Sequence, residues 1–253
     1  MEENPYDMEA NIYDEINKFR KHEEHVAFML DEFYEHNGKL PKTVLDVGCG
    51  TGNHILEFAR KKIESWGVDS SKNMLNIAIN KIKVENVSVN LVNSDILSYH
   101  TNTKFDLIYS LYGVVNLFSK SDLKMLFAWF KEHLKANGIL FFDFYTTVGI
   151  SYPPTSWLRV QKDNSEIIRL QFNKNNHKDK TTIAMRTYLQ IEGSSVLRRS
   201  AQDVFFQLYT KNWLLGELSK VGFRNTRCYN ADVFSYNKKP FTRKSYLGLI
   251  ITR

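Results

Sequence analysis

Three aspartates punctuate the first hundred residues, Asp46, Asp69 and Asp95, each at or near the end of a short apolar run. Behind the first come three glycines two apart, Gly48, Gly50 and Gly52, enclosing Cys49 and Thr51. Glycine lets the backbone take positive φ and brings N–H groups close to a ligand that a Cβ would hold away. A carboxylate about twenty residues beyond such a loop stands where one that accepts both hydroxyls of a ribose is expected. The residue types therefore point to a nucleotide-like ligand.

Two ligands of that kind fit, a dinucleotide and S-adenosylmethionine, and the loop separates them. A dinucleotide loop reads G-x-G-x-x-G and rests a pyrophosphate on a helix N-terminus. Here the glycines are spaced differently and an acid stands two positions before the first. That charge repels a pyrophosphate and attracts the ammonium of a methionine moiety.

The elements that must position these residues follow from periodicity. Residues 9–36 carry apolar side chains at helical spacing and read as one or two helices, ended by Asn37-Gly38 with Pro41 beyond. From 43 the chain alternates. Strands are expected at Val44–Val47, Trp66–Val68, Val87–Val92, Phe105–Ser110 and Ile139–Phe144. Helices are expected at 53–62, 71–83 and 122–134, the last closed by Asn137-Gly138. This order implies a Rossmann-like, doubly wound and mostly parallel sheet of seven strands in an α/β fold, the last two strands falling near 224–230 and 245–252. After a break at Ser151-Tyr152-Pro153-Pro154 the runs 157–160, 166–172, 181–189 and 196–208 read as strands separated by polar turns. They form a small antiparallel β insert after strand 5, and 211–220 returns to helix. The expected division is a main domain of 1–149 and 209–253 with an insert of 150–208.

Composition bounds the class. Of 253 residues, 43% are hydrophobic and 25% charged, ordinary for a globular chain. No apolar run approaches the roughly 20 residues of a membrane span. Met1 to Asp7 is acidic without an apolar core, so no signal peptide and a cytoplasmic location are expected. Two cysteines, Cys49 and Cys228, suggest neither a disulfide framework nor a metal cluster. The net charge of +6 is spread over short groups such as Arg60-Lys61-Lys62, Arg198-Arg199 and Lys238-Lys239, which reads as solvated surface rather than a nucleic-acid stripe.

The sequence resembles the class I S-adenosylmethionine-dependent methyltransferases. The matching residues are Asp46-Val47-Gly48-Cys49-Gly50-Thr51-Gly52, then Gly67-Val68-Asp69-Ser70 with Met74, then Ser94-Asp95-Ile96. Phe105-Asp106-Leu107-Ile108-Tyr109-Ser110 and Leu134 to Leu140 match the fourth strand and the turn before the fifth. The resemblance covers about residues 40–145. It implies that Gly48, Cys49, Gly50 and Gly52 cradle the amino-acid part of S-adenosylmethionine and that Asp46 orders its ammonium end. It further implies that Asp69 holds the ribose, Ser70 or Met74 borders the adenine, Asp95 and Ile96 meet its amino edge and face, and Ser110 and Leu111 line the methyl-bearing side. Met74 reads equally as a core residue of its own helix.

The acceptor is less explicit. After the fourth strand there is no Asn/Asp-Pro-Pro-aromatic stretch, and neither cysteine neighbours a proline, which argues against two nucleic-acid chemistries. The insert and the Tyr13-Asp14 pair are similar to small-molecule enzymes of the glycine and amino-sugar N-methyltransferase kind. That resemblance implies an insert covering the acceptor and N-terminal helices closing as a lid. The expected partner is a small-molecule methyl acceptor, with transfer to nitrogen ahead of oxygen, no membrane, and a monomer or homodimer. RNA modification and a catalytically inactive cofactor-binding subunit stay open as alternatives. Tyr13, Asn116 and Asp143 are the catalytic candidates, with His54, Tyr112, Tyr145, Arg186 and Asp203 nearby. Arg186 and Asp203 read also as a cross-strand ion pair, and no metal is expected.

Overall fold

Alternation decides the architecture. In β1 (Thr43–Val47), β4 (Phe105–Ser110), β5 (Leu134–Tyr145) and β11 (Leu247–Thr252), neighbouring apolar residues point to opposite faces and both faces are buried. Val44, Leu107, Phe141 and Leu249 pack on one side among Val26, Met29 and Phe33 of α2 (His22–Asn37) and Ile55 and Phe58 of α3 (Asn53–Arg60). Leu45, Ile108, Phe142 and Ile250 pack on the other among Leu123, Phe127 and Phe130 of α5 (Lys120–His133) and Leu214 and Leu218 of α6 (Lys211–Lys220). A three-layer α/β sandwich results.

A computed structural model describes residues 6–7, 9–148, 155–162, 164–231, 236 and 238–253. The main sheet has seven strands in the order β10-β11-β5-β4-β1-β2-β3, with β2 at Glu64–Asp69, β3 at Asn90–Asn93 and β10 at Arg227–Ala231. The five strands from β5 to β3 pair in parallel, and β11 joins both β5 and β10 antiparallel. The second sheet is antiparallel: β6 (Thr155–Lys162), β7 (Ser165–Asn176), β8 (Thr181–Glu192) and β9 (Ser195–Gln207). It lies in sequence between β5 and α6, as expected; the break at 151–154 falls outside the described residues. Among the described residues no helix is long and apolar enough to cross a membrane.

Three local expectations are corrected. The helix α5 stops at His133, not at Asn137-Gly138, because Leu134 already has extended dihedrals and pairs with Phe105. Residues 135–138 bulge before Leu107 meets Ile139, and a Cβ on Gly138 would stand 2.8 Å from Leu134 Cδ2. The strand β3 starts at Asn90 rather than Val87, since pairing with β2 begins only at Trp66. Arg186 and Asp203 do not pair: the register sets Arg186 opposite Gln202 and Asp203 opposite Met185, which puts their side chains on opposite faces.

The β5–β11 seam is tight at Gly248, which faces Phe144; a Cβ there would lie 2.4 Å from one Phe144 ring carbon and 2.9 Å from Phe241. Gly248→Ala is expected to lower stability by about 1–3 kcal/mol in urea unfolding, the range for overpacking a core. Adding Phe144→Leu should restore part of it; an additive double mutant would show that the contact is not the cause.

Candidate active site

The glycine turn joins β1 to α3. Gly48, Gly50 and Gly52 have φ of 77°, 54° and 82°, the left-handed region that a side chain disfavours. Their amides are already engaged. Those of Gly48 and Cys49 donate to Val68 O at 2.8 and 3.2 Å, and Gly52 donates to Cys49 O at 3.0 Å. The Gly50 amide donates to Asp69 Oδ2 at 2.7 Å, while Asp69 Oδ1 accepts from the Ser71 amide at 2.8 Å. Ser71 then caps α4 (Lys72–Glu85) through the Met74 amide.

Beyond the carboxyl ends of β1, β2 and β4 opens a cavity of about 390 Å³. Its wall brings together Asp46, Gly48, Cys49, Gly50, Asp69, Ser70, Met74, Asp95, Ile96 and Leu111 of the expected cofactor residues, and Tyr13 of the expected catalytic ones. His54 and Tyr112 also line it. A Cβ on Gly50 would meet nothing within 4 Å, so this part of the wall is left open by the missing side chain.

The other expected residues stand behind the wall. Gly52 packs on α4, where its Cβ would lie 3.0 Å from that of Ala78. Ser110 is buried and donates to Val47 O at 3.0 Å. Asn116 donates to Tyr145 O and Gln207 O, at 3.0 and 2.6 Å, and accepts from the Tyr145 amide at 2.7 Å; it joins β5 to β9. Asp143 accepts from the amides of Tyr112 and Gly113 at 2.8 and 2.6 Å and from the Tyr236 hydroxyl at 2.6 Å. Those two amides belong to consecutive residues with positive φ, so Asp143 holds a strained turn in place behind the cavity. The polar atoms of Asn116 and Asp143 are thus occupied by structural bonds, and neither is a lining residue. Tyr145 lies under Gly113, and Asp203 is exposed on the insert.

The N-terminal segment closes one side through two acids. On α1 (Ala10–Asn17), Asp14 accepts from Thr51 Oγ1 and Asn53 Nδ2 at 2.7 and 2.8 Å and pairs with Lys81. Glu9, 1% exposed, accepts from Arg186 Nη1 at 2.6 Å, from Gln202 Nε2 at 2.9 Å and from the Tyr188 hydroxyl. Neither Glu9 nor Arg20 follows from the sequence pattern. Arg20 donates to the Tyr13 hydroxyl at 3.0 Å, and its Cζ sits 3.6 Å from the centre of the Tyr112 ring. Tyr6 and His22, also lining residues, are likewise missed; only their folded neighbours mark them.

The electrostatics of the wall are one-sided. Asp46, Asp69, Asp95 and Asp122 line it, and no lysine or arginine does among the described residues. Burial pushes the Asp46 carboxyl well up, with the Asp69 charge adding, and burial pushes Asp69 up against its two amide bonds. Burial brings His22 down to about 4 and His54 well below the usual imidazole range, so both are neutral at pH 7. The Cys49 thiol is pushed up by burial and is inert. A pyrophosphate would find the glycine amides engaged and, among the described residues, no lysine or arginine. A sulfonium and an ammonium would find carboxylates. The residues present therefore fit S-adenosylmethionine.

The mostly parallel Rossmann-like sheet, ended by the antiparallel β11 and β10, is the methyltransferase fold. Residues 44–138 match the family described as a methyltransferase domain. Among solved structures, an S-adenosylmethionine-dependent methyltransferase from Clostridium acetobutylicum superposes with a TM-score of 0.84 at 22% identity, covering 99% of each chain. A sugar N-methyltransferase from a Streptoalloteichus species gives 0.76 at 18%, covering 95% of this chain and 92% of that one. A Streptomyces venezuelae dTDP-3-amino-3,4,6-trideoxy-alpha-D-glucopyranose N,N-dimethyltransferase is 28% identical over 39% of this chain and 40% of its own length. The chain spans about half the length of the curated relatives it matches.

Two substitutions separate binding from structure. Because the folded state raises the pKa of Asp46, the ionised carboxylate destabilises it; the stability is full below about pH 4 and is lost as pH rises. Asp46→Asn should therefore raise the melting temperature at pH 7, less so toward pH 4, while weakening S-adenosylmethionine roughly tenfold, about 1.4 kcal/mol. A lower melting temperature at pH 7 would contradict the assignment. Asn116→Ala should cost about 2–4 kcal/mol in urea by stranding buried backbone groups, with calorimetric affinity for S-adenosylhomocysteine unchanged.

Proposed function

We propose that this protein transfers a methyl group from S-adenosylmethionine to a nitrogen of a small metabolite. The observation that carries the reading is the cavity itself, with four carboxylates, no lysine or arginine among the described residues, and the Gly48 and Gly50 amides already committed to Val68 and Asp69. When bound, the cofactor supplies an electrophilic methyl group on sulfur. The chain contributes position and exclusion of water, the larger part of what an in-line displacement requires. Asp69 and Asp46 fix the two ends, and the Tyr13 face of α1 closes over the cavity.

Preference for nitrogen over oxygen rests on the bases available. A hydroxyl acceptor calls for a group able to remove its proton. His22 and His54 are held neutral but weakly basic, and burial raises the Tyr112 hydroxyl far above neutrality. A neutral amine brings its own lone pair and needs none of them before attack. The likeness to N-methyltransferases supports the same reading.

Titration of the native protein with S-adenosylhomocysteine should show one site, and Asp69→Ala should weaken it roughly 10- to 100-fold, about 1.4–2.7 kcal/mol. Radiolabelled methyl from S-adenosylmethionine should then enter members of a panel of primary and secondary amines but not the matching alcohols. Undiminished binding by Asp69→Ala, or transfer confined to alcohols, would overturn the reading.

A further inference from the structure

The small sheet exposes apolar side chains on one face and mixes polar with apolar ones on the other. Trp157, Leu170, Phe172, Met185 and Phe205 share its outer face and are 42–73% exposed. The opposite face carries Arg169, Gln171, Arg186, Tyr188 and Gln202 among the buried Ile167, Ala184, Val204 and Phe206, at positions where further apolar residues would bury more cheaply. Arg169 lies opposite Tyr188 and so stands diagonal to Arg186, two like charges on neighbouring strands.

The charge there is not balanced by the chain. Glu9 pairs with Arg186, whose Nε donates to Gln171 Oε1 at 3.1 Å. Arg169 has no carboxylate within ion-pair distance among the described residues, and its Nε is buried with no partner. Arg20 is in the same condition: its buried Nε has no partner, and its Nη1 donates to the Tyr13 hydroxyl. Burial and the Arg186 charge together pull the Arg169 guanidinium below its usual range. The group lies next to the cavity, since Arg186 Cζ is 6.0 Å from the centre of the Tyr6 ring, which forms part of the wall. Arg169 and Arg186 thus stand on the insert with Glu9 as the one paired carboxylate, and the Arg20 charge acts on Arg169 as well, whereas the cavity wall has four carboxylates and, among the described residues, no arginine. Guanidinium forks match planar oxyanions.

We infer that Arg169 and Arg186, flanked by Arg20, form an oxyanion subsite that holds the methyl acceptor by a carboxylate or phosphate and leaves its amine toward the cavity. This rests on the methyl-transfer reading above and adds to it the class of acceptor, an anionic amine.

The test uses the protein saturated with S-adenosylhomocysteine and follows its melting temperature during titration with sodium phosphate or sodium malonate, ionic strength being held with chloride. A saturable rise is expected with one of the two, phosphate if the acceptor carries a phosphate and malonate if it carries a carboxylate. Arg169→Gln should weaken that anion at least tenfold, and Arg169→Lys, which keeps the charge without the fork, by less. The exposed Arg159→Gln should change nothing, and S-adenosylhomocysteine affinity should be equal in all of these proteins. No saturable effect beyond chloride, or equal anion affinity with and without Arg169, would overturn the subsite; should Arg169→Gln not fold, the Lys variant decides by the same comparison. Arg20→Gln that loses S-adenosylhomocysteine but keeps the anion response would remove Arg20 from it. Failure of the native protein to bind S-adenosylhomocysteine would instead count against the donor reading.

Discussion

The Asp69 carboxylate stands between the Gly50 amide and the Ser71 amide, and much of the donor side depends on that bridge. One oxygen holds the glycine turn at the end of β1; the other holds the start of α4 at the end of β2. An acid buried beside Asp46 is unfavourable by itself, and burial raises both carboxyls. Two charge-assisted amide bonds offset part of that penalty for Asp69. A ligand carrying positive charge offsets more, so the same interaction that shapes the turn also selects what can rest on it.

The acceptor side is organised by opposite means. Asp143 and Asn116 spend their polar groups on backbone, fixing the Tyr112-Gly113 turn and joining β5 to β9. The insert then presents arginines rather than acids. The cavity wall and the arginine-bearing face of the insert are therefore electrostatically distinct, with carboxylates on the first and guanidinium groups on the second. Such a division orients a molecule with unlike ends without needing a base at the point of transfer.

Local pattern made the sheet legible. Alternating apolar residues in Val44–Val47, Phe105–Ser110 and Ile139–Phe144 fix strands buried on both faces, and the Asp46 to Gly52 turn marks a wall of the cavity. The helix α2 ends at Gly38 in the left-handed conformation that Asn37-Gly38 announces. Positions that depend on distant partners were not legible. Asp143 looked available for chemistry because an acid in an apolar strand needs a partner, yet its partners, the 112–113 amides and Tyr236, are visible only after folding. Arg186 and Asp203 have opposite charges on adjacent strands, but a register one residue away from the pairing separates them. Glu9 and Arg20 lie in a segment whose helical period says nothing of what it touches.

The clasp at Glu9 has a consequence for the order in which the molecule assembles. Its three partners lie 177, 179 and 193 residues further along the chain. Contacts of such separation form only after the intervening elements have closed the distance. None of the three exists until β8 and β9 have paired, which itself requires most of the chain to be present. The segment around Glu9 is therefore among the last to settle.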